Sequence, residues 1–243
     1  MSAQRSLAYR WLPDDTEESI LGADWHQDAI SSLCNGLRDV ARARSWPWHV
    51  GDQLTLVAWH PDGTIWRPKP DIMVHAHAGP TPREEMSATA DGLPALIIEV
   101  ASPSTYLSDV NISPPTTERR DAKGYEYLAW PLPEYLVFDP TAAYLPGQVR
   151  AWWVVEGRVE EWPPDAAGRY HSRILGVSFR PEGFFLRIVD PAGNLVPLDH
   201  EKADTIARLE QERTEAIRRA EQVEQENAAL RALLERLRGH DSG

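Results

Sequence analysis

The stretch that decides the fold reads Leu93-Pro-Ala-Leu-Ile-Ile-Glu99-Val-Ala-Ser-Pro-Ser-Thr105 and, after a polar insert, Asp121-Ala-Lys123-Gly-Tyr-Glu-Tyr127. The apolar run before Glu99 is bounded by two prolines, which predicts a short buried strand. A carboxylate at the end of such a strand costs free energy unless it is paired or holds a metal ion. Two interpretations of Glu99 therefore stand: a structural glutamate satisfied by an arginine or a backbone N–H, or a metal ligand.

A second acid upstream favours the metal ligand. Asp71 opens another strand-like segment, Pro70-Asp-Ile-Met-Val74. Mg²⁺ needs oxygen ligands, usually one or two carboxylates with waters and a substrate phosphate, and two acids on neighbouring strands can supply them. A lysine nearby can orient an attacking water or neutralise charge that develops on the phosphate. Lys123, on a predicted helix after the Glu99 strand, is the candidate, and Lys69 is its competitor.

These motifs resemble a known family. Together with Asp109 and the segment Pro133-Glu-Tyr-Leu-Val-Phe-Asp-Pro140, they are similar to the Uma-two family of putative restriction endonucleases, within the PD-(D/E)XK nuclease-like superfamily. The resemblance extends over roughly residues 17–189. It implies an α/β fold with a mixed central sheet, flanking helices and a metal-dependent nuclease site. Asp71, Glu99 and the backbone carbonyl of Val100 are the implied ligands of Mg²⁺ or Mn²⁺.

The chain departs from the family pattern at the lysine. The superfamily places a lysine two residues after the glutamate, where this chain has Ala101. In the family the lysine commonly lies on the following helix, which points to Lys123. The family also tends to place an aspartate and this lysine one helical turn apart, whereas residues 111–120, with two prolines, separate Asp109 from Lys123 here. The placement of Lys123 and the role of Asp109 stay open.

Length and composition predict one domain with an appendage. The chain has 243 residues, enough to bury a sizeable core. We expect a nuclease-like domain over residues 1–199 and a C-terminal helix with a short tail over residues 200–243. A single cysteine, Cys34, excludes a disulfide framework and a cysteine-rich zinc site. Neither a signal pattern nor a bilayer-spanning apolar run is present, so a soluble, cytoplasmic protein is expected.

The charge of the chain argues against a protein that grips a long duplex. The net charge is −12, and contacts with phosphates need lysine and arginine. A local basic groove formed by Arg119, Arg120, Lys123 and Lys69 is compatible with this balance. A solvated charged helix face is the alternative for the two arginines.

The histidines of the predicted domain are interpreted as structural or surface residues. His26 lies near the start of a helix predicted over residues 25–44 and resembles the histidine near the start of the family's first helix. A lone histidine there is more often structural than a ligand. His75 and His77 alternate at the end of the Asp71 strand. A metal site is one interpretation, and surface histidines before a loop are the preferred one.

The tail has the pattern of a coiled coil. Residues 200–237 contain no proline and no glycine, and a heptad repeat places apolar residues at many a and d positions. The a positions are Ile206, Arg213, Ala220, Asn227 and Leu234, and the d positions are Leu209, Ala216, Val223, Leu230 and Leu237. Asn227 at an a position favours a parallel, two-stranded register, which predicts a homodimer. A single helix folded onto the body is the alternative.

Two functions follow from these patterns. The first is a Mg²⁺-dependent endonuclease that hydrolyses DNA, with Asp71 and Glu99 as metal ligands and Lys123 as the group that stabilises charge. The second is a non-catalytic protein of the same fold that acts as a dimeric binding or scaffold module through its coiled coil. The net acidic charge and the displaced lysine favour the second, whereas both acids on strand-like segments favour the first. A fold by itself does not decide activity.

Overall fold

A computed structural model describes residues 15–59, 64–114, 122–130 and 132–240. The described helices are α1 (Asp15–Arg44), α2 (Tyr106–Asp109), α3 (Lys123–Ala129) and α4 (Asp199–His240). The described strands are β1 (His49–Asp52), β2 (Thr55–Trp59), β3 (Ile65–Trp66), β4 (Ile72–His75), β5 (Glu85–Ser87), β6 (Leu96–Val100), β7 (Glu134–Phe138), β8 (Val149–Val155), β9 (Arg158–Glu161), β10 (Tyr170–His171), β11 (Ser178–Glu182) and β12 (Phe185–Val189). Arg119 and Arg120, predicted to line a basic groove, lie outside the described residues.

A six-stranded mixed sheet forms the centre of the fold. Its order is β1-β4-β6-β7-β8-β9. β6 and β7 are parallel, and the other neighbours are antiparallel. A parallel pair needs a crossover connection, usually helical, and α3 lies in the segment that connects β6 to β7. The predicted mixed sheet with flanking helices and a long C-terminal helix is therefore confirmed.

Successive side chains of β6 pack in two different hydrophobic clusters, one on each face of the sheet. Leu96, Ile98 and Val100 pack in a cluster that includes the buried residues of α1. Ile97 packs on the other face, in a cluster that includes Tyr127 of α3. Because side chains alternate along a strand, Glu99 shares the face of Ile97 and lies on the α3 side. This alternation places a carboxylate in an apolar layer at the end of the strand.

The two acids of the segment 133–140 have structural partners. Glu134 is buried, and its carboxylate accepts hydrogen bonds from Oγ of Ser172 at 2.5 Å and from the N–H of Arg173 at 2.7 Å. Asp139, also buried, accepts hydrogen bonds from the N–H groups of Tyr144 at 2.6 Å and Leu145 at 2.8 Å. Buried carboxylates satisfied in this way fix loops. This part of the family-like motif therefore stabilises the fold.

The fold contains two smaller sheets besides the central one. Their orders are β10-β11-β12 and β3-β2-β5. The segment 78–92 contains β5, which pairs in parallel with β2. The three-residue length of β5 explains why no alternating pattern revealed it.

The prediction that His75 is a surface histidine is wrong. His75 is 2% exposed because β1 covers the outer side of β4 and places His49 directly opposite it. His77, two residues beyond the end of the strand, is exposed. The polar residues at the end of β4 were interpreted as surface residues, because the neighbouring strand β1 was not predicted.

The chain divides into two compact units, residues 1–196 and 197–243. The second unit consists mainly of α4. The apolar residues Ile206, Leu209, Val223 and Leu230 of α4 are between 53% and 58% exposed. Among the described residues, no helix carries an apolar stretch long enough to cross a membrane.

Candidate active site

Asp71 and Glu99 lie side by side at the same end of two neighbouring strands. β4 and β6 are antiparallel, with Ile72 opposite Ile98. The same register places Asp71, one residue before β4, opposite Glu99. The backbone N–H of Asp71 donates to Oε2 of Glu99 at 3.3 Å. The structure thus brings together the two acids that the sequence singled out.

Asp71 is stabilised in its ionised form. Its Oδ2 atom accepts a hydrogen bond from the N–H of Val100 at 2.8 Å and lies 3.6 Å from Nε2 of His26. Burial raises the pKa of Asp71, but the interactions with His26 and with the N–H of Val100 outweigh it and lower the pKa below its ordinary value. This carboxylate is therefore negatively charged at neutral pH.

Glu99 lies in surroundings that oppose its charge. The residue is 1% exposed, and Oε1 has no hydrogen-bond partner among the described residues. Burial raises the pKa of Glu99 to about 8, although Nζ of Lys123 lies only 2.7 Å from Oε2 and acts in the opposite direction. A bound cation would favour the ionised carboxylate.

Lys123 faces the acids, and Asp109 joins them. Nζ of Lys123 lies 2.7 Å from Oε2 of Glu99 and 3.8 Å from Oδ1 of Asp109. Burial lowers the pKa of Lys123, but the attraction to Glu99 and Asp109 outweighs it and raises the pKa above its ordinary value. Asp109 is 1% exposed. The lysine is therefore charged and held between the carboxyl groups of Glu99 and Asp109, a geometry that the sequence left open.

The backbone of α3 is docked on α2 and on the segment that follows it. The N–H of Lys123 donates to Oγ of Ser108 at 3.2 Å, and the N–H of Tyr125 donates to the carbonyl of Asn111 at 2.7 Å. Gly124 permits this approach, because a Cβ at that position would lie 2.4 Å from the carbonyl oxygen of Asp109. The position of Lys123 is set by this contact, in spite of the insert that separates it from Asp109 in the sequence.

Replacement of Gly124 by Ala is expected to lower the free energy of unfolding by about 2–3 kcal/mol. The carbonyl oxygen of Asp109 that the new methyl group would meet also accepts a hydrogen bond from the hydroxyl of Tyr135 at 2.8 Å. It is backbone in a buried position and cannot move without cost. Urea denaturation of the variant measures the effect. Ala129→Ser, at the exposed end of the same helix, is the control, and equal stability of the two variants would contradict the tight contact.

His26 also belongs to this site, although the sequence favoured a purely structural role for it. Its Nε2 lies 2.9 Å from the carbonyl oxygen of Val100. Because a carbonyl can only accept, Nε2 carries the proton of this hydrogen bond. The hydrogen-bonding interaction with Asp71 raises the pKa of His26, against the opposing effect of burial. The likeness to the histidine of the family's first helix was the available signal.

The donor atoms at this site suit a hard divalent cation. Among the described residues, no group of three or more His, Cys, Asp or Glu side chains has the geometry of a metal centre. Mg²⁺, however, usually binds through only one or two carboxylates and keeps several waters. Asp71, the unpartnered oxygen of Glu99 and the carbonyl of Val100 are oxygen donors of the required kind.

Lys69, the alternative lysine, has a different environment from Lys123. It is exposed, and its side chain makes no hydrogen bond or ion pair with the part of the chain that the structure describes. Lys123 is therefore the lysine that contacts Glu99.

Comparison with known proteins gives the family. A family model, Uma2, described as a putative restriction endonuclease, matches residues 8–166. The chain belongs to the Uma2 family. This match includes His26, Asp71, Glu99, Asp109 and Lys123, and membership in Uma2 supports a nuclease.

A solved structure with a related description is also found. It is a putative nuclease belonging to DUF820 from Anabaena variabilis ATCC 29413, with 15% sequence identity and a TM-score of 0.38. The similarity covers 58% of this Uma2 chain and 69% of that chain. A search of curated proteins finds no significant match.

Proposed function

We propose that this protein is a Mg²⁺-dependent endonuclease that hydrolyses phosphodiester bonds of DNA. The observation that carries the proposal is the contact between Lys123 and Glu99 beside Asp71, at the ends of adjacent strands. A nuclease needs negative ligands for a cation and a positive group near the phosphate. The nuclease domain would comprise residues 1–199, act in the cytoplasm and be assembled through the helix over residues 200–243.

Asp71, Glu99 and the carbonyl of Val100 would hold Mg²⁺ or Mn²⁺. When bound, the metal ion would supply Lewis acidity and would lower the pKa of a bound water. Lys123 stabilises the charge that develops on the phosphate, since its ammonium group reaches the carboxylates from α3. His26 orients the carbonyl of Val100 through its N–H, and Asp109 holds the ammonium of Lys123 from the other side.

The test is a cleavage assay on single-stranded and double-stranded DNA with Mg²⁺ or Mn²⁺. We expect Asp71→Ala to abolish cleavage, because the ionised carboxylate that binds the cation is lost. Asp52→Ala, which removes an exposed carboxylate paired with Arg38, should cleave like the wild type. Removal of the divalent ion with EDTA should stop the reaction. Equal activity of Asp71→Ala and the wild type would contradict the proposal.

The second candidate is a non-catalytic dimeric scaffold with the same fold. The acidic net charge of −12 and the exposed apolar residues of α4 favour it. A protein that associates through its helix and cleaves neither single-stranded nor double-stranded DNA with Mg²⁺ or Mn²⁺ would be such a scaffold. The cleavage assay therefore separates the two candidates.

A further inference from the structure

A pair of buried histidines lies on a different part of the central sheet. His49 of β1 and His75 of β4 are directly opposite each other in the antiparallel register. They are 6% and 2% exposed. Directly opposite residues of an antiparallel pair project to the same face, with Cβ atoms about 4.5–5.5 Å apart. The two imidazoles therefore share one small space beside the edge strand.

Within the part of the chain that the structure describes, most of the ring nitrogens of this pair lack a hydrogen-bond partner. Nδ1 of His49 and both ring nitrogens of His75 are buried without a hydrogen-bond partner among the described residues. Every imidazole carries hydrogen-bonding nitrogens that water satisfies in the unfolded chain. Native proteins seldom leave such groups unsatisfied, and a bound water or ion commonly explains them when they do.

Both imidazoles are in the form that binds metal ions. Burial lowers the pKa of His49, and burial lowers that of His75 to about 4. Both rings are therefore neutral at pH 7, and a neutral imidazole is the metal-binding form. The nearby cations are compensated, since Arg83 pairs with Asp91 at 2.6 Å and Arg38 pairs with Asp52 at 3.1 Å.

One member of the pair, His49, borders a groove. The groove has a volume of about 760 Å³ and is bordered by the end of α1, by β1 and by residues 80–83. Arg42, which also borders the groove, pairs with Asp39 at 2.9 Å. An ion can therefore approach His49 along the groove without meeting an uncompensated arginine.

We propose that His49 and His75 bind a divalent transition-metal ion of the Zn²⁺ and Cu²⁺ class, with water completing the coordination. Imidazole suits these ions, whereas Mg²⁺ prefers oxygen ligands. The ion would link the edge strand β1 to β4. This site is independent of the proposed cleavage of DNA, because neither histidine contacts the residues assigned to that reaction.

The first test is a calorimetric titration of the full-length protein with Zn²⁺ in excess Mg²⁺. We expect one bound Zn²⁺ equivalent, and affinity at least about tenfold weaker in His49→Asn and in His75→Asn. His77→Asn, which changes an exposed histidine two residues from His75, should bind like the wild type. Asp71→Asn should also keep this ion. Loss in Asp71→Asn together with retention in His49→Asn and His75→Asn would assign the ion to the acid site and overturn the proposal.

A second measurement needs no substitution in the core. Electron paramagnetic resonance of the wild-type protein with one equivalent of Cu²⁺ should show coupling to two imidazole nitrogens, and His77→Asn should leave the spectrum unchanged. A spectrum without nitrogen coupling, or a wild-type protein that binds no Zn²⁺ in excess Mg²⁺, would show that ordered water satisfies these rings and would overturn the metal site.

Discussion

Replacement of Lys123 by Met is expected to lower the rate constant of DNA cleavage by about 10²- to 10³-fold. Met has nearly the length of Lys but no charge, so the side chain can still fill the space beside Glu99. In the proposed reaction the lost ammonium group would act on charge that develops in the transition state, and other contacts would contribute most of the binding of DNA. We therefore expect kcat to fall while KM changes little. Single-turnover cleavage with Mg²⁺ measures the effect.

Two further variants separate charge from fold. Lys69→Met removes the exposed lysine near Asp71 and should cleave at the wild-type rate. Lys123→Met leaves Glu99 buried without its cation, which destabilises the fold. The double variant Lys123→Met with Glu99→Gln removes both the ammonium group and the ionisable carboxyl group, so it should recover stability and remain inactive. Full activity in Lys123→Met, or loss of activity in Lys69→Met alone, would contradict the role of Lys123.

The strands that carry the acids could be predicted because their signal is local. Leu96, Ile97 and Ile98 form a continuous apolar run, and such a run is typical of a strand buried on both faces. The position of Glu99 beside Asp71 then follows from pairing of two adjacent strands. The roles of these residues stay a prediction, whereas their proximity is a property of the structure.

The remaining groups of the site depend on contacts that are distant in sequence. His26 contacts the carbonyl of Val100, which is 74 positions away in the sequence. No periodic pattern predicts a contact between residues so far apart. Lys123 reaches Glu99 because α3 docks on Ser108 and Asn111, so its position does not follow from its spacing to Asp109. The burial of His75 likewise depends on β1, a four-residue strand that was not predicted.

Removal of the C-terminal helix is expected to convert a dimer into a monomer. All described residues of α4 from 203 to 231 are exposed. This range includes Val223 and Leu230 of the apolar a and d stripe. An isolated helix gains little from propensity and needs an apolar face buried against something. Burying one Leu side chain contributes roughly 1.5–3 kcal/mol. Burial of Val223 and Leu230 against the same helix of a second copy would therefore favour a dimer.

The charges beside the stripe suit a parallel pair of identical helices. In the heptad register, Arg219 and Glu226 occupy g positions, while Glu224 and Arg231 occupy e positions. In a parallel two-stranded coiled coil each g residue faces the e residue five positions later on the partner helix. Arg219 would therefore face Glu224 of the second copy, and Glu226 would face Arg231. Asn227 at an a position would meet its symmetry mate between these two oppositely charged pairs.

Light scattering of the full-length protein, and of a version that ends at Asp199, tests the dimer. The full-length protein should have twice the mass of one chain, and the truncated version the mass of one. Leu230→Asp places a charge at a d position of the stripe and should weaken the dimer by at least about tenfold, because burying an unpaired charge is costly. Ala229→Asp adds the same charge on the outer face one residue away and should remain dimeric. A monomeric full-length protein, or a dimer that persists after truncation, would show that α4 does not hold the two copies together.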